Sequence, residues 1–465
     1  MYNALILWSI LTGMVAQQKP AQATNQTEIR LKNGQTAYVA PPRNRALSPL
    51  RLGGVYLRGL GSEGNPQTES AKLGIKVSAA NSDWIARYLD VAALSASTIL
   101  PDTLGDIRKR QPLFTPLLYT YASSLYEQEG HSGNVGGWSP ALRAETLRSS
   151  GGSEAVNPEP GAHWMDFAST IWAGHWADRV HMLTRRYGAD GAVAAELPLA
   201  NHFVPEPLAR YHSNQQREEA TVSWLSAAHR PGDFLLVASA LGFEASAPHA
   251  TTPPAPEREQ TELSGRIWDD VDPDIDGAWS EGWIHPYWLK QPLPEKLWEI
   301  DMEAADRAAI ADQVFIAGVS YRNDTELEYA IASYLLIAHR QGRFVLQPMP
   351  IRPGMPDDAG FSLSVAKAEV QRRPSYFDIP LGISYQSRHL VPAVGGWAWR
   401  RAFQRGLVYV NSNDRSSAEV LLGSRMQRLD GRLVSSVRLS PHSGAVLLYP
   451  TPALAKPGAH PGSHK

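Results

Sequence analysis

The chain has 465 residues, 44 of them basic and 46 acidic, for a formal net charge of -2, and 43 % are hydrophobic. A length of this order buries a large core without staples, and balanced charge argues against coating nucleic acid or an anionic membrane. The complete absence of Cys excludes zinc ribbons, iron–sulfur clusters, thiol nucleophiles and disulfides.

Residues 1–16 form an apolar run that ends in small residues. The run is shorter than the roughly 20 residues that cross a bilayer, and it fits the core of a signal peptide. Residues 1–24 therefore read as a signal peptide or disordered N-terminus, and the mature protein is expected to be secreted or periplasmic. No later segment is long and apolar enough for stable membrane insertion.

From residue 50 to 376, β-like apolar runs alternate with amphipathic helical stretches. Strands are expected at 53–59, 97–100, 116–123, 189–197, 234–241, 277–284, 313–319 and 343–347. Helices are expected at 83–89, 171–187, 218–229, 294–311 and 325–339, and the Pro- and Thr-rich stretch 245–263 reads as a loop insertion. Eight strands over roughly 300 residues have the size and rhythm of a (β/α)8 TIM barrel. A doubly wound open sheet shares the local signature, and the strand count favours the barrel. Residues 377–452 then alternate around Gly, Asp and Ser turns without helices, which predicts a small antiparallel β-domain, followed by a flexible tail at 453–465.

In a barrel the chemistry sits where strands end, so carboxylates at strand ends are the candidates. Glu196 ends one predicted strand, Glu281 lies in another, and Asp102 follows a third. Both Glu residues come after an Asp-Gly pair, Asp190-Gly191 and Asp276-Gly277. Two carboxylates in one cleft can divide the cleavage of an acetal between an acid and a nucleophile or base. The competing explanation is that each Glu is a solvated loop residue or a helix cap. Trp164, Asp166, Trp172 and Trp176 cluster in one segment, and Trp279, Trp283, Tyr287 and Trp288 surround Glu281. Aromatic faces beside a carboxylate suit a sugar ring, although core packing explains many of them, Trp176 in particular.

Three motifs are set aside. Gly59, Gly61 and Gly64 satisfy the G-x-G-x-x-G string, but Asn65-Pro66 continues a loop where a nucleotide site needs a helix. Asp272, Asp274 and Asp276 begin like a calcium loop, but Trp283 stands where its bidentate Glu belongs. The histidines show no zinc-ligand spacing, and no G-x-S-x-G elbow is present.

The stretch 164–201 (WMDFASTIWAGHWADRVHMLTRRYGADGAVAAELPLAN) resembles the glycosyl hydrolase-like TIM barrels of bacteria. The likeness extends to DIDGAWSEGWI at 274–284 and to WRRAFQRGLVYVNSN at 399–413. The resemblance implies a secreted glycoside hydrolase-like protein that acts on a polysaccharide or oligosaccharide without a cofactor or nucleic acid. It makes Glu196 and Glu281 the catalytic pair and Asp166 an acidic site residue, with Asp190 the structural residue of its Asp-Gly turn. Asp102, Asp190, Trp164, Trp279, Trp283 and Tyr287 complete the expected substrate-binding set. One position departs from the pattern: Ala195 stands where an Asp is expected before Glu196. That departure motivates an alternative, a carbohydrate-binding barrel without catalysis.

Overall fold

The computed structural model describes residues 27–30, 36–39, 47–55, 57, 77–96, 99–129, 131–197, 208–239, 274–286, 291–338, 343–351 and 363–450. The expected signal peptide, the 245–263 insertion, the 59–64 glycine string and the tail lie outside them. The chain divides into two compact units at residue 42/43. In the first, β1 (Thr27–Arg30) pairs antiparallel with β2 (Thr36–Val39).

The second unit opens with β3 (Gly53–Val55), α1 (Ala79–Tyr88), β4 (Val91–Ser95), α2 (Thr103–Arg110) and β5 (Thr115–Tyr121). An excursion follows, in which β6 (Ser124–Tyr126) pairs antiparallel with β7 (Ala162–Trp164). Then come α3 (Thr170–Tyr187), β8 (Gly191–Ala195), α4 (Asn214–Ala228), β9 (Leu235–Ser239) and β10 (Gly277–Ser280). The barrel ends with α5 (Glu295–Ile310), β11 (Val314–Tyr321), α6 (Asp324–Ile337) and β12 (Phe344–Pro350).

These eight strands form one parallel sheet in the order β12-β11-β10-β9-β8-β5-β4-β3. A parallel bridge between Leu52 and Leu346 joins its two edges, with the Leu346 amide donating to the Arg51 carbonyl at 2.9 Å. The sheet is therefore a closed (β/α)8 barrel, as the strand count predicted. The second strand differs from expectation: β4 occupies 91–95, ahead of the predicted run at 97–100, of which 97 and 98 lie outside the described residues.

The two core layers follow from strand alternation. Val91, Ala93, Leu117, Val193, Ala195, Val237, Trp279, Val314, Ile316 and Val345 fill the lumen. Their odd-even neighbours, such as Ala92, Leu118, Ala194 and Ala278, pack outward against the helices. Helix starts are set by local caps: Ser78, Ser169, Ser213 and Asn323 each accept an amide hydrogen from three residues on. In α3 the buried face is Trp172, Trp176, Val180 and Leu183 at helical spacing, while Ile171, expected on it, is exposed.

Short helices α7 (Leu363–Arg372) and α8 (Pro374–Phe377) lead to β13 (His389–Ala393), β14 (Gly396–Phe403), β15 (Gly406–Asn411), β16 (Ala418–Arg428), β17 (Leu433–Leu439) and β18 (Ser443–Leu448). They form a six-stranded antiparallel sheet in the order β13-β14-β15-β18-β16-β17. One face encloses its own core of Ala398, Tyr409, Val420, Met426, Val437 and Leu447. The other lies on α6, where a Cβ at Gly444 would stand 2.5 Å from Ala332 Cβ. Buried from Leu327 to Ile337, α6 is covered by barrel and sheet alike. Among the described residues no helix is long and apolar enough to cross a membrane.

Candidate active site

Glu196 follows β8 and Glu281 follows β10, so both leave the C-terminal end of the barrel with only β9 between them. Ala194, Ala238 and Ala278 are level across these strands, which puts the two glutamates within one residue of the same height. Neighbouring strands lie ~4.8 Å apart, so the two backbones are about 10 Å apart at the barrel mouth.

The side chains reach the mouth by different routes. Trp279 faces the lumen, and alternation carried one residue past the end of β10 predicts the same side for Glu281. Ala195 also faces the lumen, so simple alternation would turn Glu196 outward. Instead Glu196 has φ +58°, a conformation uncommon for a residue with a Cβ, and the chain turns there. Burial pushes both carboxyls up to about 7, and the charge of Glu281 adds to the rise at Glu196. The two glutamates distant in sequence thus share one electrostatic environment.

Their hydrogen bonding is unequal. Ser123 Oγ donates to Glu196 Oε2 at 3.0 Å, which favours the ionised form of Glu196. Glu281 accepts no hydrogen bond among the described residues. Ser123 is placed by β5 and α3: Trp172 Nε1 donates to the Ala122 carbonyl at 2.9 Å and Trp176 Nε1 to the Tyr121 carbonyl at 3.1 Å. The tryptophans of α3 act through their N–H groups on the strand end, and their rings belong to the core.

The excursion after β5 brings further groups to the mouth. Tyr126 donates its hydroxyl hydrogen to Glu159 Oε2, and its ring stacks on His131 with centroids 3.6 Å apart and planes 8° apart. The charge of Glu159 also raises the pKa of Glu196. Tyr119 meets Trp279 edge-on at 6.2 Å, and Tyr121 lies 5.6 Å from Tyr119 and 5.9 Å from Tyr126. A chain of aromatic rings therefore runs from the lumen below Glu281 to the rim beside Glu159.

The loop bearing Glu281 is anchored from α5. Ile284, at φ +50°, donates its amide hydrogen to Asp301 Oδ2 at 2.9 Å, and Trp283 Nε1 donates to the Asp301 carbonyl at 3.2 Å. Burial pushes the Asp301 carboxyl up to about 8. Next in the loop, buried His285 receives a hydrogen bond from Arg322 Nη1 at 3.0 Å; burial pushes its pKa down to about 4, assisted by the Arg322 charge, so the imidazole is neutral.

Several predicted binding residues lie elsewhere. Asp190 precedes β8 and Glu196 follows it, so Asp190 is at the opposite end of the barrel, paired with Arg108. The repeated Asp-Gly pair has a structural cause there. A Cβ at Gly191 would come within 2.1 Å of the Leu235 carbonyl oxygen, and one at Gly277 within 2.0 Å of that of Val314. Asp276 accepts the Leu236 amide hydrogen at 2.8 Å. The motif tightens strand entry and carries no chemistry. Asp102 is exposed, one residue before α2. Asp166 is occupied by the Ala168 amide of its own loop and by the Tyr211 hydroxyl and Arg210 of the segment before α4. Trp164 packs with Leu147, Ala155 and Leu208 and donates to the Val156 carbonyl at 3.2 Å. Trp283 is fully buried and offers no face to a sugar. Tyr287 lies outside the described residues. Trp279 alone of the predicted tryptophans borders the glutamate pair, as a lumen residue that is 5 % exposed.

Ser123, Tyr119, Tyr121, Tyr126 and Glu159 were not singled out from the sequence. A signal existed for the first three: the run 115–121 continues apolar alternation up to a Ser pair at 123–124, at the end of a barrel strand. Glu159 has no local signature, because a hairpin-like excursion brings it back. Among the described residues, no group of three or more His, Asp or Glu is placed to hold a metal ion.

No family model and no curated protein matches the chain. Among solved structures it is similar to the glycoside hydrolase domain of PelA from Pseudomonas aeruginosa, at 12 % identity over 64 % of this chain and 94 % of that one, with a TM-score of 0.38. It is similar to the α-amylase of Geobacillus thermoleovorans complexed with acarbose, at 11 % identity over 85 % and 97 % of the two chains, with a TM-score of 0.42. Eubacterium rectale Amy13B aligns at 10 % identity over 88 % and 97 %, with a TM-score of 0.47.

Proposed function

We propose that the protein is a glycoside hydrolase that cleaves a polysaccharide or oligosaccharide with Glu281 and Glu196. The observation that carries this reading is the pair itself: two carboxyls at adjacent heights on the barrel mouth, both pushed up to about 7 by burial, with the charge of Glu281 adding to the rise at Glu196. Like charges in one partly dry site favour the state that holds a single proton between them. Ser123 biases that state, because its hydrogen bond stabilises a negative Glu196 and leaves the proton on Glu281.

In this assignment Glu281 gives its proton to the glycosidic oxygen as the bond from that oxygen to the anomeric carbon breaks. Glu196, ionised, attacks the anomeric carbon or takes a proton from the attacking water. Water supplies the hydroxyl of the new reducing end and the proton that restores the acid. The apolar run at residues 1–16 supports export, which suits action on a polymer outside the cell.

The test is reducing-sugar release from a panel of bacterial and plant polysaccharides by the full chain, Glu281→Gln and Glu196→Gln. Loss of at least a hundredfold in each variant, with unchanged melting behaviour at acid pH, is expected. Equal release by the parent and both variants rejects the assignment. Glycan binding with no turnover by the parent supports instead the non-catalytic barrel that Ala195 suggests.

A further inference from the structure

The β6–β7 excursion carries a cluster that the cleavage chemistry does not use. Tyr126 and His131 stack face to face, Tyr126 donates to Glu159 Oε2, and His131 Nε2 lies 3.7 Å from the same oxygen. Glu159 and His131 keep open faces, with side-chain exposures of 58 % and 35 %. Ser123, three residues before Tyr126, is bonded to Glu196, so one short segment carries both Tyr126 and the contact to Glu196. The aromatic chain from Trp279 through Tyr119 and Tyr121 ends at Tyr126. A carboxylate with spare lone pairs beside a flat ring is the composition that binds a ring bearing hydroxyl groups: the carboxylate accepts hydroxyl hydrogens and the partly exposed His131 ring covers an apolar C–H face, with the buried Tyr126 ring stacked beneath it.

We propose that Glu159, His131 and Tyr126 form a rim subsite for the hydroxyl-bearing sugar unit next to the one held between Glu281 and Glu196. This rests on the glycosidase reading. Glu159 accepts hydrogen bonds from the sugar, and Tyr126 orients the Glu159 carboxylate. Because the subsite presents negative charge beside two further carboxyls, it takes uncharged units and disfavours uronates.

The experiment measures calorimetric binding of maltotetraose, cellotetraose, xylotetraose and tetragalacturonate to the full chain carrying Glu281→Gln. Glu159→Gln, His131→Ala and Tyr126→Phe are added singly, and each melting temperature is recorded. The expected result is binding of at least one neutral tetrasaccharide, weakened roughly tenfold by Glu159→Gln with its melting temperature unchanged. Tyr126→Phe, which keeps the ring, should weaken it less than His131→Ala. Unchanged affinity in Glu159→Gln and His131→Ala overturns the subsite. So does failure of all three neutral probes to bind, or tetragalacturonate binding as well as they do. Failure of the glycosidase reading is seen separately, as equal reducing-sugar release by Glu281→Gln, Glu196→Gln and the parent chain.

Discussion

Ser123 Oγ donates a hydrogen bond to Glu196 Oε2 at 3.0 Å, and nothing described does the same for Glu281. This single difference breaks the symmetry of two carboxyls that burial treats alike. Removing it with Ser123→Ala takes away a stabiliser of ionised Glu196, so the Glu196 pKa rises further. The acid limb of the activity profile should move to higher pH by about half to one unit, equivalent to about 0.7–1.4 kcal/mol. A pH–rate profile on the substrate found in the polysaccharide screen checks this; an unmoved acid limb refutes the role of Ser123.

The unaltered pair should itself give a bell-shaped dependence of rate on pH. Burial pushes both groups up to about 7 and the charge of Glu281 raises Glu196, so the singly protonated state should peak between two apparent values that bracket neutrality. An optimum below pH 5 would contradict the shared-proton arrangement.

Gly318 on β11 is the close neighbour of the Glu281 backbone. A Cβ there would stand 2.7 Å from the Ser280 carbonyl oxygen and 3.0 Å from Glu281 Cα. Gly318→Ala must therefore push the Glu281 segment aside, and turnover should fall at least tenfold with a modest drop in melting temperature. Gly105, within α2, has nothing within 4 Å of such a Cβ, so Gly105→Ala is the matched control. It should gain about 0.5–1 kcal/mol of stability and keep full turnover.

Asp301 offers a test by stability alone. Burial pushes its carboxyl from an ordinary 3.8 up to about 8, so folding favours the protonated form. Its contribution is fully present below the unfolded pKa and is lost as pH rises through the folded one. Asp301→Asn keeps an acceptor for the Ile284 amide but cannot ionise. Relative to the parent it should therefore gain up to about 1.4 kcal/mol per pH unit between roughly pH 4 and 8, read from denaturant midpoints across pH. A difference that stays flat over this window removes Asp301 as the buried acid behind the Glu281 loop.

The sequence revealed the barrel because alternating strands and capped amphipathic helices write their periods locally. The placement of Glu196 and Glu281 on one rim was legible for a related reason: each follows a short apolar run, and strand ends of a barrel converge on one rim. The binding set was harder to read. Trp164 and Trp283 look like sugar platforms in one dimension, yet each ring is enclosed and each N–H is given to a backbone carbonyl. The Asp-Gly pairs marked the right strands through the wrong end, since their glycines answer to steric crowding where strands begin. Glu159 depends on a 36-residue separation between Ser123 and itself being folded back, and no periodicity records that.

The burial of α6 on every side constrains how this protein can be taken apart. Glu328 receives the Val446 amide hydrogen at 3.1 Å and pairs with Arg428 at 2.8 Å, so the helix is tethered to the sheet by buried polar groups as well as by apolar packing. A shortened version ending near residue 376 would present to water the sheet-facing side of this apolar helix and leave the Glu328 carboxylate without its partners. Such a fragment should be recovered as insoluble material, which makes the C-terminal sheet an obligatory outer wall of the barrel rather than a detachable appendage.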